Sequence, residues 1–164
     1  MIIRPQYLNA LRSYRNIPIV KILAGIRRCG KSTILDMLKN DLLSSGINKE
    51  QIIDRRYTSL SLDEGMDARS MYDDIKSIMT TDDMYYLLLD EVQEIPGWEK
   101  AVNSLAEDCN VDIYVTGSNS KLMSGEISTY LTGRYVLIPV YPLSFEEYLE
   151  FKNADHVEAK RLLP

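Results

Sequence analysis

The chain has little of what several common kinds of site require. It contains two cysteines, Cys29 and Cys109, and one histidine, His156, which do not suffice for a tetrahedral zinc site of Cys and His ligands. No apolar run approaches the ~20 residues of a membrane-spanning helix, and residues 1–5 lack the apolar core of a signal peptide. We therefore expect a reduced, cytoplasmic chain with no membrane partner.

The chain also lacks a strongly basic character. Its 164 residues carry a formal net charge of −5 at pH 7, with 45% hydrophobic and 26% charged residues, as is typical of one globular domain. Adjacent basic pairs occur only at Arg27-Arg28, Arg55-Arg56 and Lys160-Arg161. This balance argues against a general nucleic-acid surface, so the segment indicates no nucleic-acid partner.

The chain does contain a complete phosphate-binding loop pattern. Residues 25–33 read GIRRCGKST, which fits G-x-x-x-x-G-K-[ST] at every fixed position. A short apolar segment over 19–24 precedes the loop and is typical of a buried strand. A helical pattern over 34–43 follows it, with Gly46 placed to end the helix. Strand, loop and helix thus occur in the order that this site requires.

The residue types of this loop predict binding of a nucleotide's phosphates. The glycines let successive N–H groups converge on an anion, and the start of the helix adds a positive dipole end. We expect Lys31 to reach the β- and γ-phosphates and Ser32 to place its hydroxyl on Mg²⁺. The candidate nucleotide-binding residues are Gly25, Ile26, Arg27, Arg28, Cys29, Gly30, Lys31, Ser32 and Thr33.

Apolar periodicity predicts alternating helices and strands along the rest of the chain. Strands are predicted over 52–62, 85–89, 111–115 and 135–140, and helices over 5–15, 68–80, 98–108, in part of 120–131, and over 144–152. This alternation predicts an α/β fold with a mostly parallel five-stranded sheet covered on both faces. Pro139 favours an edge position for the last strand. Ligands of such sheets lie outside the C-terminal ends of the strands.

Two further polar clusters are predicted to lie at that edge. Residues 87–91, LLLDE, resemble a Walker B motif, in which Asp90 can bind Mg²⁺ directly or through water. Glu91 can accept a proton from a water that attacks the γ-phosphorus. Ser118, or as second choice Asn119, can hold that water or contact the γ-phosphate, with an ordinary strand-ending turn as an equal alternative for either residue.

Five motifs in one order resemble prokaryotic ATP-binding proteins of the AAA+ superfamily, over essentially residues 1–150. The motifs are GIRRCGKST, LLLDEVQEIPGWEKAV, VTGSNS, LTGR and YPLSFEEYL. The resemblance implies a P-loop three-layer sandwich with sheet order 5-1-4-3-2 and with ATP and Mg²⁺ as ligands. It implies Lys31, Ser32, Asp90 and Glu91 in the roles given above, and a polar sensor at Ser118 or Asn119.

The same resemblance implies parts beyond this chain. In such proteins a helical lid follows the core, and a C-terminal domain follows the ATPase domain. We expect residues 1–152 to form the ATPase core and 153–164 to be a polar tail, too short for a lid, that begins a further region. Arg134 stands where AAA+ proteins often carry an arginine for the neighbouring subunit's γ-phosphate, which implies a homo-oligomer of the full-length protein. The alternative for Arg134 is a salt bridge or a solvated turn.

The leading functional prediction is slow, Mg²⁺-dependent ATP hydrolysis that drives a change in an attached domain or partner. A nucleotide-dependent switch that keeps ATP bound is the first alternative. A small-molecule phosphotransferase is disfavoured by the adjacent Glu91, and a DNA-acting motor component by the acidic charge. The lack of a guanine-reading N-K-x-D motif modestly favours ATP over GTP.

Overall fold

The computed structural model of the chain describes residues 4–58, 65–118, 122, 131 and 133–152. Residues 151 and 152 are described by their backbone only. The helices within these ranges are α1 (Pro5–Ser13), α2 (Lys31–Ser44), α3 (Ala68–Ile78), α4 (Trp98–Asp108) and α5 (Phe145–Lys152). The strands are β1 (Val20–Gly25), β2 (Ile52–Arg56), β3 (Tyr85–Asp90), β4 (Val111–Ser118) and β5 (Tyr135–Val140). Short 3₁₀ turns cover Lys49–Gln51 and Val92–Glu94. None of the described helices combines the length and the apolar character that crossing a membrane requires.

The strands form one sheet in the order β2-β3-β4-β1-β5, and all neighbouring pairs are parallel. This confirms the predicted order, and β5 with Pro139 lies at an edge. In the register, Gly25 at the end of β1 lies beside Ser118 of β4 and Val140 of β5. The phosphate loop and the last residues of β3 and β4 therefore lie together at the C-terminal ends of the parallel strands.

Helices cover both faces of the sheet and give it three layers. In β3, Leu87 and Leu89 join the core that includes residues of α3 and α4. Tyr86 and Leu88 alternate with them and join the core that includes residues of α1 and α2. A strand covered on both faces has no polar side, which explains why β3 reads as a continuous apolar run.

The predicted second strand was too long, because β2 ends at Arg56. Arg56 pairs with Asp90, the last residue of β3, and the next residue Glu91 leaves the strand with a φ of 58°. Since β2 lies at a sheet edge, it has no second neighbour to continue the ladder. Helices α1 and α3 also end two residues earlier than predicted, at Ser13 and Ile78. Most of the helix predicted over 120–131 lies outside the described residues.

The predicted end of α2 is confirmed, and the start of α5 carries a defined cap. Gly46 follows α2 with a φ of 91°, which suits a glycine just past a helix. At the start of α5, the Glu147 N–H donates to Ser144 Oγ at 3.2 Å, and the Ser144 N–H donates to Glu147 Oε2 at 2.7 Å. This is the reciprocal capping box expected from serine followed by glutamate three residues later.

Candidate nucleotide site

The two glycines of the phosphate loop are required for different reasons. A Cβ on Gly25 would lie 2.3 Å from the carbonyl oxygen of Val140 and 2.6 Å from Cys29 Sγ. Gly25 is therefore fixed by close packing of the loop against β5. Gly30 precedes α2 with a φ of 95°, a left-handed conformation that side chains disfavour. Gly30 is thus fixed by the turn that starts the helix.

Arg28 carries backbone strain inside the loop. Its φ of 67° is uncommon for a residue with a long side chain. Left-handed residues in a short loop can turn successive N–H groups to one side and so form an anion-binding nest. Ile26, Arg27 and Arg28 are exposed, whereas Cys29 is buried. The strained position within a candidate binding loop favours a functional role for this turn.

Lys31 is buried between the loop and the end of β3. Its Nζ donates to the carbonyl oxygens of Gly25 at 3.3 Å and Ile26 at 3.1 Å, and lies 3.8 Å from Glu91 Oε1. The loop backbone and Glu91, the residue directly after β3, thus meet at one ammonium group.

A cavity of about 670 Å³ lies at the C-terminal ends of the strands. Its walls come from the phosphate loop, the ends of three strands and the turn after β3, and include Arg27, Arg28, Ser32, Tyr57, Thr58, Asp90, Glu91, Gln93 and Ser118. The structure therefore brings the predicted residues Ser32, Asp90, Glu91 and Ser118 to one space. Thr33 is exposed on the first turn of α2, and Asn119 lies outside the described residues.

Thr116 holds the acidic pair in place. Its Oγ1 donates to Asp90 Oδ1 and accepts the backbone N–H of Glu91 at 3.0 Å. Thr116 is fully buried and Asp90 is 4% exposed. Thr116 lies within the VTGSNS motif but is not among the predicted site residues. The signal available was the parallel register, because Leu89 pairs with Val115 and the two next residues are therefore neighbours.

Glu91 borders the cavity with its carboxylate engaged. Its Oε2 accepts a hydrogen bond from Gln93 Nε2, and its Oε1 faces Lys31. The Glu91 side chain is 29% exposed, so solvent can reach it. Gln93 Oε1 is buried without a hydrogen-bond partner among the described residues. Sequence reasoning missed Gln93, whose contact depends on the left-handed turn at Glu91.

The oxygen groups present fit magnesium held together with a nucleotide. Mg²⁺ in such sites takes one or two protein oxygens plus phosphate oxygens and water. Ser32 and Asp90 supply a hydroxyl and a carboxylate at the same cavity. Across the described ranges there is no cluster of three or more His, Cys, Asp or Glu side chains that could hold a metal alone. The donor set therefore suits a metal that arrives with phosphate.

Arg134 lies at the N-terminal ends of the strands, on the opposite side of the sheet from the phosphate loop. Its carbonyl oxygen accepts the N–H of Val20 at 2.8 Å, where β1 and β5 begin. Its guanidinium donates to Glu107 Oε1 at 2.7 Å, and its side chain is 60% exposed. Arg134 thus forms a surface ion pair far from its own phosphate loop. A contact with a neighbouring subunit's nucleotide stays a prediction.

Comparison with known proteins shows the family of this chain. A sequence model of the family described as "AAA domain" matches residues 18–149. The chain belongs to this family. An uncharacterised protein of Haemophilus influenzae is 40% identical over 156 residues, which cover 94% of this chain and 39% of that protein. An uncharacterised protein of Methanocaldococcus jannaschii is 34% identical over 134 residues, which cover 82% of this chain and 29% of that protein. The AAA domain here thus spans well under half of these relatives' length.

Solved structures share the fold of this AAA domain. A chain of Hsp104, determined with ATPγS and FITC-casein, superposes with a TM-score of 0.67 and 16% identity, covering 93% of this chain and 29% of that one. The Aeropyrum pernix ORC1 protein, determined with DNA, gives a TM-score of 0.59 and 13% identity, covering 93% and 50%. Fold and family together identify an AAA-type nucleotide-binding domain.

Proposed function

We propose that this AAA domain binds Mg·ATP at the described cavity and hydrolyses it slowly, with hydrolysis coupled to an attached region or partner. The observation that carries the proposal is the meeting of Ser32, Asp90 and Glu91 at one cavity, next to the buried ammonium of Lys31. These groups come from the phosphate loop and from the end of β3 with the residue that follows it, which are distant in the sequence. Their shared location is what phosphoryl transfer to water requires.

Each group has a distinct chemical role in this proposal. The loop N–H groups and Lys31 bind the phosphates. Ser32 and Asp90 would hold Mg²⁺, which would supply positive charge to neutralise the phosphates. Glu91 accepts the proton of the attacking water, and Ser118 orients that water. The fold neighbour Hsp104 was determined with an ATP analogue, which supports ATP as the nucleotide.

The contacts of Glu91 support slow rather than fast hydrolysis. A general base must be within hydrogen-bond reach of the water that it deprotonates. Here the Glu91 carboxylate already accepts from Gln93 and faces Lys31. The attacking water must therefore use an acceptor position of the carboxylate that these partners leave free. Arg134, the candidate arginine for the transition state, lies at the N-terminal ends of the strands. It can therefore act only on the nucleotide of a neighbouring subunit.

The test compares Glu91→Gln with the neighbouring Glu94→Gln, since both carboxylates line the cavity. We expect Glu91→Gln to bind ATP like wild type and to lose turnover by at least about 10²-fold, the usual contribution of a general base. Glu94→Gln should keep both properties. Calorimetric ATP titration and phosphate release measure the two quantities. Equal turnover by Glu91→Gln and wild type would remove Glu91 as the base.

A nucleotide-dependent switch is the second candidate, and the engagement of Glu91 by Gln93 favours it. A switch binds ATP tightly and leaves it intact over many hours. Tight ATP binding by wild type without any phosphate release selects the switch over the ATPase.

A further inference from the structure

Arg4 is a buried arginine outside the predicted site. Its residue is 4% exposed, although it precedes α1 at the start of the described chain. Its Nη1 donates to the carbonyl oxygen of Cys29, in the phosphate loop, at 3.1 Å. Its Nε donates to Glu147 Oε1 at 2.8 Å, and its Nη2 donates to Glu147 Oε2 at 3.2 Å. One guanidinium therefore bonds the phosphate loop and α5 at the same time.

The bond to Cys29 fixes the orientation of a peptide group in the loop. A trans peptide is planar, so its carbonyl oxygen and the following N–H point in opposite directions. No described peptide bond is cis. With Arg4 on the carbonyl side, the N–H of Gly30 must point to the other side. In loops of this kind that side is where the backbone N–H groups cradle phosphate. Arg4 also polarises this peptide and so strengthens the N–H as a donor.

The bond to Glu147 fixes the junction between β5 and α5. Arg4 Nη2 also donates to the carbonyl oxygen of Tyr141 at 3.0 Å, and Tyr7 Oη accepts the N–H of Tyr141 at 3.0 Å. Glu147 accepts the N–H of Ser144 in the capping box that starts α5. A shift of the guanidinium therefore disturbs the cap of α5 as well as the loop.

We propose that Arg4 is a positioning residue for phosphate binding that couples the phosphate loop to α5. Arg4 holds the Gly30 N–H toward the nucleotide, and through Glu147 it holds α5 against the same loop. Since such coupling is reciprocal, nucleotide that orders the loop also stabilises α5. This inference rests on the proposed function, because it assigns Arg4 a role in the affinity of that site.

The test measures Mg·ADP affinity and the hydrogen exchange of α5 in wild type and three variants of this chain. Arg4→Met removes both contacts, and Arg4→Lys keeps a charge for Glu147 but lacks the planar fork that reaches both partners. We expect each Arg4 variant to weaken ADP binding about tenfold or more, as loss of a charged hydrogen bond does. In wild type, ADP should slow the exchange of α5 amides, and in the Arg4 variants it should not.

Glu147→Gln is the matched control, because it removes the ion pair and leaves the bond from Arg4 to Cys29. We expect it to keep ADP affinity within about twofold, the size of a surface effect, and yet to lose the effect of ADP on α5. A purely structural Arg4 would give equal losses of stability with no such separation. If wild type binds ADP while both Arg4 variants bind it equally well, the inference about Arg4 fails alone. If ADP leaves α5 exchange unchanged in wild type, the coupling fails. If wild type does not bind ADP, the proposed function fails and the inference with it.

Discussion

The hydroxyl of Thr116 in β4 links Asp90, the last residue of β3, to Glu91, the residue that follows it. It donates to Asp90 Oδ1 and accepts the backbone N–H of Glu91 at 3.0 Å. A hydroxyl can do both because it is a donor and an acceptor at once. The same strand carries Ser118 two residues later. The candidate metal ligand, the candidate base and the candidate sensor are thus fixed to one another through β4.

Replacement of Thr116 by valine should disturb this arrangement at nearly constant volume. The Glu91 N–H and the Asp90 carboxylate each lose a partner in a buried place, so we expect a loss of about 1–3 kcal/mol in the free energy of unfolding. Mg²⁺ should also enhance ADP binding less than in wild type. Urea denaturation and ADP titration with and without Mg²⁺ measure these effects. Thr116→Ser keeps the hydroxyl and should keep the Mg²⁺ effect, and the account is wrong about Thr116 if valine keeps it too.

Gly25→Ala should damage the phosphate loop through a steric clash. The new Cβ would lie 2.3 Å from the Val140 carbonyl oxygen, and forcing extra volume into a packed place costs about 1–3 kcal/mol. Because the clash displaces the loop, ADP affinity should fall as well. Gly46→Ala is the control, since Gly46 has a left-handed φ of 91° and a Cβ added there would have no atom within 4 Å. It should lose a similar amount of stability, about 1–2 kcal/mol, and keep ADP affinity. Equal ADP affinities for both variants would contradict the packing argument.

The contact of Arg4 with Glu147 should make stability depend on pH in the acid range. The hydrogen bond from Arg4 lowers the pKa of Glu147 from its usual value near 4.5 to about 2. A carboxyl with a lowered folded pKa stabilises the fold above its unfolded pKa and loses this contribution as pH falls through the folded value. Wild type should therefore exceed Glu147→Gln in stability at pH 6, and the difference should shrink between pH 4.5 and pH 2. Chemical denaturation across that range measures it, and a constant difference would contradict the assignment.

Arg134→Ala should leave ADP affinity unchanged, because Arg134 lies at the N-terminal ends of the strands and the phosphate loop lies at their C-terminal ends. If the residue serves a neighbouring subunit, the variant should slow ATP turnover by about 10³-fold or more in a longer, assembling form, where wild-type rate per subunit rises with concentration. Glu107→Ala breaks the same ion pair from the other side and should keep turnover. Equal rates for Arg134→Ala and wild type would leave Arg134 as a surface ion pair.

Much of the fold could be predicted because its signals are local. The fixed spacing of Gly25, Gly30 and Lys31, and the apolar runs of β1 and β3, locate the site within a parallel sheet. The edge position of β5 could be read from Pro139. The early end of β2 could not be predicted, because residues 52–62 have a strand-like composition throughout. The strand ends where its pairing with β3 ends, at Arg56 and Asp90.

The partners within the site were harder to predict, since they depend on contacts through space. Arg4 and Glu147 are 143 positions apart, and neither stands in a motif that names the other. Ser118 is predictable as a small polar residue at the end of a strand, whereas the function of Thr116 depends on the register of β3 and β4. Gln93 acts only through the left-handed turn at Glu91, which no residue type announced.

A Mg·ADP titration of wild type against Lys31→Ala tests whether nucleotide phosphate binds at the loop around Lys31. Lys39→Ala is the matched control, because Lys39 lies on the same helix and pairs with Asp54 at 2.7 Å. ADP at about 100 times its Kd should stabilise wild type and Lys39→Ala by ~2.7 kcal/mol. Lys31→Ala should show neither binding heat nor stabilisation. Equal Mg·ADP affinity of Lys31→Ala and wild type, or no binding by wild type, would contradict phosphate binding at this loop.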